Sequence, residues 1–329
     1  MFRLQVLESV GSTNEVIKRA IEDAEPEGLA IRAYRQTGGY GRQGRAWKSP
    51  RGGMYESILL RPEVDMRELP TLALVVAIAV QRALASLVVD EQARRIRIKW
   101  PNDVVLVGEG FGAGFGADCS ACGTAPETAG HTPCSGKAAE ARARGVSRAV
   151  PHDENSPVGC SPKQDCLSTE LPAHALPQAS APSIKSLYSK LAGISSEVHA
   201  GGVCVGIGVN VEPPADAMEV GGKNAPAYLA DLGFGFTCER EAAINAVGDA
   251  ILREFEPLYR RWCEDGFEAL SREFAECSML EGCFIRVANQ MGKVVCKGTV
   301  RGVDASGRLL LQLEDGETRA VESGEVHLL

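Results

Sequence analysis

The chain has 329 residues, more than a usual single domain, so one large α/β domain with a smaller appendage is expected. A formal charge of -8 and a pI near 5.4 exclude a globally phosphate-seeking surface, and with it wholesale nucleic-acid binding, while leaving room for a local basic site. The longest apolar run, residues 72–80, stops at Gln81-Arg82, short of the roughly 20 residues a membrane-spanning helix needs, so it reads as a buried helix.

Met1-Phe2-Arg3-Leu4-Gln5-Val6 enters a strand-like pattern without the basic flank and apolar core of a secretion signal, which points to a cytoplasmic protein. Residues 12–24 are amphipathic, and Ser12 with Glu15 has capping-box spacing, so a helix is expected there, ended by Pro26 and Gly28. Residues 29–35 alternate like a strand and run into a segment, 38–45, with four glycines in seven positions; that composition predicts a mobile loop without regular structure. A strand over 54–60, a helix over 71–89 and a strand over 95–107 broken at Pro101-Asn102-Asp103 follow, an order that suggests a sheet layered with helices.

From 116 to 187 there is no Trp, Tyr or Phe, and eight of the 17 prolines fall here, too little apolar surface to offset the entropy of ordering. We read it as a largely disordered insertion with at most a short helix over 136–146, sitting at a hairpin tip. The flanking strands are then still expected to pair. Strands over 190–198 and 203–211, joined at Ala200-Gly201-Gly202, and helices over 240–264 and 266–276 come next. Residues 283–329 carry short alternating runs between Gly-containing turns, the pattern of a small β-barrel.

Two segments carry chemistry. In Gly38-Gly39-Tyr40-Gly41-Arg42-Gln43-Gly44-Arg45, amides freed by glycine can form an anion nest, and Arg42 and Arg45 offer bidentate phosphate contacts. Read alone, it is equally an ordinary surface loop, and it has neither P-loop nor dinucleotide-fingerprint spacing. Lys99-Trp100-Pro101-Asn102-Asp103 presents two polar side chains at a forced break, where a carboxylate suits Mg²⁺ bridging ATP phosphates, although such a turn is often only a turn.

Together with three further blocks these segments resemble biotin protein ligases: Gly11-Ser12-Thr13-Asn14, Gln36 through Trp47, Lys99 through Asp103, Lys190-Leu191-Ala192-Gly193-Ile194, and Val205-Gly206-Ile207-Gly208-Val209-Asn210-Val211. The resemblance implies a class II aminoacyl-tRNA-synthetase-like (biotin–lipoate ligase) α/β catalytic domain over 1–277, interrupted at about 109–187, and an SH3-like β-barrel over 278–329. It implies ATP-dependent activation of biotin, with Mg²⁺, and transfer to a lysine of a biotin carboxyl carrier domain of a carboxylase. Arg42, Lys99, Asp103 and Lys190 would be catalytic. Ser12, Thr13, Asn14, Gln36, Gly39, Tyr40, Gly41, Arg42, Arg45, Trp47, Asn102, Lys190, Gly193, Gly208 and Asn210 would contact biotin or nucleotide, and Asp103 would hold the Mg²⁺ or orient the incoming lysine.

Tyr40 and Gln43 depart from the basic residues frequent at those positions in the family. Because the catalytic block starts within the first dozen residues, the monofunctional type without a DNA-binding arm is expected. Lipoate or octanoate transfer on the same fold and non-catalytic biotin binding are the alternatives; monomer and homodimer stay open. In the insertion, Cys119-x-x-Cys122 with His131, Cys134, Cys160 and Cys166 is a candidate Zn²⁺ set, set against a free-thiol linker. Cys204, Cys238, Cys263, Cys277, Cys283 and Cys296 read as ordinary core or surface residues.

Overall fold

Seven strands form the main sheet: β1 (Arg3–Leu7), β2 (Leu29–Ala33), β3 (Gly53–Leu60), β4 (Ile96–Lys99), β5 (Asp103–Val107), β6 (Tyr188–His199) and β7 (Gly202–Asn210). Their spatial order is β1-β2-β3-β7-β6-β5-β4, parallel only between β1 and β2. The computed structural model describes residues 2–109, 111, 187–214, 225–235, 239–289 and 291–329, all within one compact unit. Most of the insertion, its expected short helix, the candidate Zn²⁺ set and Cys238 lie outside the described residues.

The sheet has two different faces because its strands alternate. On β7, Val203, Val205, Ile207 and Val209 join the main core, while Cys204 packs with Ile31 and Leu59 beneath Ile17 and Ile21 of α1 (Thr13–Glu22). Helices α2 (Leu72–Ser86) and α4 (Arg240–Asp265) cover the opposite face and pack on each other. With the turn before it, α2 forms an apolar stretch, Leu69–Ser86, long enough by length and composition to cross a membrane, because the helix continues through Gln81 and Arg82. Yet 67% of that stretch is buried inside the fold, so it is a core helix. Each buried Leu, Val or Ile of the helix contributes about 1.5–3 kcal/mol.

The glycine at the β6–β7 turn sits as expected, with Ala200 at φ 43° and Gly201 at φ 79°. The strands flanking the insertion pair antiparallel, Val107 opposite Tyr188 and Asp103 opposite Gly193, so the chain leaves and returns at neighbouring positions. The first helix ends earlier than its sequence suggests: Glu22 is its last residue and Ala24 already has φ 57°. Short α3 (Asp90–Ala93) leads to β4, and α5 (Ser271–Cys277) leads to the C-terminal strands.

Those strands, β8 (Phe284–Ala288), β9 (Val294–Val303), β10 (Leu309–Gln312), β11 (Thr318–Val321) and β12 (Glu325–Leu328), form a five-stranded antiparallel sheet in the order β11-β10-β9-β8-β12. Trp100 Nε1, in the turn after β4, donates to Gly307 O in the turn between β9 and β10 at 3.0 Å, and Met279 N, ahead of β8, donates to Ile98 O of β4 at 2.9 Å.

Candidate functional site

The α1-side face of β7 carries Gly206 and Gly208, where any side chain would fill space, followed by Asn210. A Cβ on Gly206 would stand 2.4 Å from Asn14 Oδ1, and one on Gly208 2.9 Å from Trp47 Nε1. Gly193 on the neighbouring β6 is similarly close, 3.1 Å from both the Lys190 side chain and the Trp47 ring. The result is a slot floored by backbone, opening into a cavity of about 920 Å³. Of the residues expected at the site, Thr13, Asn14, Gln36, Tyr40, Gly41, Arg42, Arg45, Trp47, Lys99, Asn102, Asp103, Lys190, Gly193, Gly208 and Asn210 line this one cavity.

Ser12 and Gly39 are not in its lining. Ser12 is the buried N-cap of α1, but its side chain makes no capping bond. The expected capping box is not formed, since Glu15 accepts a hydrogen bond from the Tyr40 hydroxyl instead. Gly39 acts by close approach: a Cβ there would meet Ser49 Oγ at 2.4 Å and Trp47 O at 2.8 Å.

One end of the slot is a set of small directed hydrogen-bonding groups. Gln36 Oε1 accepts from Thr13 N at 2.8 Å and Thr13 Oγ1 at 3.1 Å, and Gln36 Nε2 donates to Ser49 Oγ at 3.0 Å. Ser57 Oγ lies 2.7 Å from Thr13 Oγ1 and 2.6 Å from Asn14 Oδ1, while Asn14 Nδ2 donates to Ser195 Oγ at 3.4 Å. Ser49, Ser57 and Ser195, all buried, were missed in the sequence reading. Gly206 and Gly208 carry a signal, the glycine alternation of β7; isolated serines in strands carry none.

The glycine-arginine segment roofs the slot. Contrary to the expectation of no regular structure, it closes as a small hairpin: Trp47 N donates to Gly39 O at 2.9 Å, Gly41 N donates to Arg45 O at 2.8 Å, and Arg42–Gly44 forms a 3-10 turn with Gly44 at φ 67°. Glycine permits that turn, since a left-handed φ costs it nothing.

The other end is cationic. Lys190 Nζ donates to Asp103 Oδ1 at 2.6 Å and sits 4.9 Å from the centre of the Trp47 ring. Arg42 Nη1 donates to Asn102 Oδ1 at 3.0 Å, and Asn210 Nδ2 caps Lys190 O at 3.1 Å. Lys99 is buried, with its ammonium 5.3 Å from the Tyr188 ring centre; burial pulls its pKa down, opposed by the carboxylates of Asp103 and Glu325. Trp47 Nε1 is buried without a hydrogen-bond partner at the slot. Such an orphan donor is expected where a ligand acceptor completes the site.

The C-terminal sheet also reaches the cavity, which sequence analysis did not foresee. Asn289, Met291 and the segment Ser323 to His327 line it, and Arg45 Nη2 pairs with Glu325 Oε1 at 2.9 Å. Among the described residues no group of three or more His, Cys, Asp or Glu is placed to hold a metal ion. Asp103, expected to hold Mg²⁺, is engaged by Lys190, so the donor set does not fit a resident metal. A Mg²⁺ ion would instead enter on the nucleotide's phosphates, which need only one or two protein carboxylates.

The fold is shared with solved structures: biotin protein ligase from Aquifex aeolicus in complex with biotin and ATP matches with TM-score 0.61 at 22% identity, covering 100% of this chain and 99% of that one. A biotin protein ligase-like protein of unknown function from Silicibacter sp. TM1040 matches with TM-score 0.56 at 12% identity, over 98% and 94%. Residues 6–117 match the family described as biotin/lipoate A/B protein ligase, and residues 283–329 the biotin protein ligase C terminal domain. Both matches are to models of biotin ligase domains, and they lie at the two ends of the chain.

Among sequence relatives, the bifunctional ligase/repressor BirA of Bacillus subtilis is 35% identical over 103 residues, 30% of each chain. The match thus spans less than a third of that relative. The biotin--[acetyl-CoA-carboxylase] ligase of Mycobacterium tuberculosis is 25% identical over 327 residues, 98% of this chain and 88% of the relative.

Proposed function

We propose that the chain activates biotin with MgATP to biotinyl-5′-AMP and transfers the biotinyl group to a lysine of a biotin carboxyl carrier domain of a carboxylase. In the first step a biotin carboxylate oxygen attacks the α-phosphorus and pyrophosphate leaves. In the second the acceptor lysine's neutral amine attacks the anhydride carbonyl, AMP leaves and one proton is released. The observation that carries this reading is the convergence of Arg42, Lys99 and Lys190 with a glycine-floored slot in one cavity.

The chemistry asks for that arrangement. Two anions, a carboxylate and a polyphosphate, must approach each other, and preorganised cations lower the cost of doing so. Lys190 and Arg42 take the carboxylate and α-phosphate, and Lys99 balances phosphate charge. Thr13, Asn14 and Gln36, with Ser12 and Ser57 behind them, fix the ureido ring, and Gly193 and Gly208 leave room for the rest of the vitamin. Gly39, Gly41, Tyr40, Arg45 and Trp47 build the roof that keeps water from the anhydride. Asp103, held by Lys190, orients the incoming lysine, and Asn102 and Asn210 hold Arg42 and the Lys190 backbone in place.

In this reading residues 1–277 are the catalytic domain, interrupted at about 109–187, residues 278–329 are a C-terminal domain, and the protein works in the cytoplasm. Measuring pyrophosphate release with biotin, lipoate or octanoate as the acid tests it. Release with biotin alone is expected; release with lipoate or octanoate alone, or biotin binding with no release, overturns it.

A further inference from the structure

Tyr40 stands on the first arm of the roof hairpin, where its backbone bridges to Ala46. Its hydroxyl is shared by two groups of α1: it donates to Glu15 Oε1 at 2.5 Å and accepts from Lys18 Nζ at 2.8 Å. Lys18 is in turn fixed by Glu197 Oε2 of β6 at 2.6 Å, and lies 3.5 Å from Glu15 Oε1. Burial and the Glu15 hydrogen bond push the Tyr40 phenol up to about 12, so it keeps its proton and donates. The same hydrogen bond holds the Glu15 carboxyl below its ordinary value.

We propose that Tyr40 is a positioning residue that latches the roof hairpin onto α1 and β6 before any ligand arrives, so that the slot is roofed without paying its ordering cost at binding. The proposal rests on the ligase reading for its effect on the adenylate, but the latch itself is a property of the ligand-free protein. Four side chains from three elements form one connected cluster, Glu15 and Lys18 at the hydroxyl and Glu197 reaching it through Lys18, and each polar group has a complementary partner. The arginines of the roof tie it elsewhere, Arg42 to Asn102 and Arg45 to Glu325, so the side-chain tie to α1 comes from Tyr40. Hydrogen bonds to charged groups are the stronger class, so removing this one shifts a closed–open equilibrium measurably.

The test uses the full chain with Tyr40→Phe, Lys18→Met and the double variant. In the ligand-free protein, tryptic cleavage after Arg42 and Arg45 is expected to rise about tenfold in each single variant, and in the double variant no further, because both break the same latch. With biotin and MgATP, the dissociation rate of biotinyl-AMP is expected to rise by a similar factor. Unchanged cleavage in Tyr40→Phe, or effects of the two substitutions that simply multiply, overturns the latch. Cleavage that responds as stated in a protein forming no adenylate at all upholds the latch and overturns the ligase reading instead.

Discussion

Lys190 Nζ stands 2.6 Å from Asp103 Oδ1, though 87 positions separate them in the chain. The antiparallel pairing of β5 with β6 makes the contact, and the glycine opposite Asp103, Gly193, leaves the space the ammonium occupies. In the proposed reaction Lys190 serves the first step and Asp103 the second. Lys190→Met is therefore expected to lower kcat/KM for pyrophosphate release by about 10²–10³-fold, the usual loss when one preorganised donor to developing charge is removed. Asp103→Asn should slow biotinyl transfer more than adenylation. Single-turnover assays that resolve the two steps check this, and equal losses in both steps for Asp103→Asn speak against the division of roles.

The slot depends on glycine at Gly206 as a shape. Gly206→Ala drives a methyl group onto Asn14 Oδ1 and Ser195 Oγ, with 2.4 and 2.7 Å available. Biotin affinity measured by calorimetry is expected to fall at least about tenfold, a loss of about 1.4 kcal/mol. Undiminished affinity would place the vitamin elsewhere.

A buried charge cluster on the opposite face of the sheet offers a test of stability. Arg32 Nε donates to Glu56 Oε2 at 2.7 Å with both side chains fully buried, Arg32 Nη1 reaches Asp249 Oδ1 at 2.9 Å, and Gly248 leaves the room the guanidinium needs. Arg32→Met strands the carboxylate in the core and is expected to cost about 3–5 kcal/mol; the double variant Arg32→Met/Glu56→Leu recovers much of it. Urea titration measures both, and a double variant as unstable as the single one contradicts the account.

The same cluster sets a pH dependence. Burial pushes the Glu56 carboxyl up to about 7 against the pull of Arg32. With the folded pKa above the unfolded one, the folded state binds the extra proton between them. The contribution is thus complete below the unfolded pKa of about 4.3 and lost as pH rises through about 7. Between about pH 5 and about pH 8 the natural chain should lose stability relative to Glu56→Gln. Parallel pH profiles for the two would refute the assignment.

Val107 and Tyr188 face each other as paired neighbours, and Gly108 N donates to Leu187 O at 2.9 Å. Replacing residues 112–186 with a short turn should therefore leave the β5–β6 hairpin and pyrophosphate release intact, because closure entropy changes only slowly with loop length. Loss of activity in a variant that still folds would make the segment part of the site.

Much of this was legible in the sequence because it rests on local pattern. The alternation of residues 203–211 fixes both a core face and an empty face on one strand, and the break at Pro101 is where the single strand expected over 95–107 divides into antiparallel β4 and β5. Other features were not legible because they depend on which partner wins in three dimensions. Glu15 has capping spacing to Ser12, yet the Tyr40 hydroxyl claims it. The glycines of the roof read as freedom, but Ser49, Trp47 and Gly39 approach so closely that only glycine lets the hairpin close. Ser57, Ser195 and Glu325 reach the site through strand pairing and docking over long chain separations, which no spacing records.

The central claim is that one cleft makes and keeps biotinyl-5′-AMP with Arg42 as part of its cationic wall. Native mass spectrometry of the protein with biotin and MgATP measures this directly. The account predicts a retained biotinyl-AMP on the natural chain and its loss in Arg42→Ala. Absence of the adenylate on the natural chain, or equal retention by the variant, would contradict it.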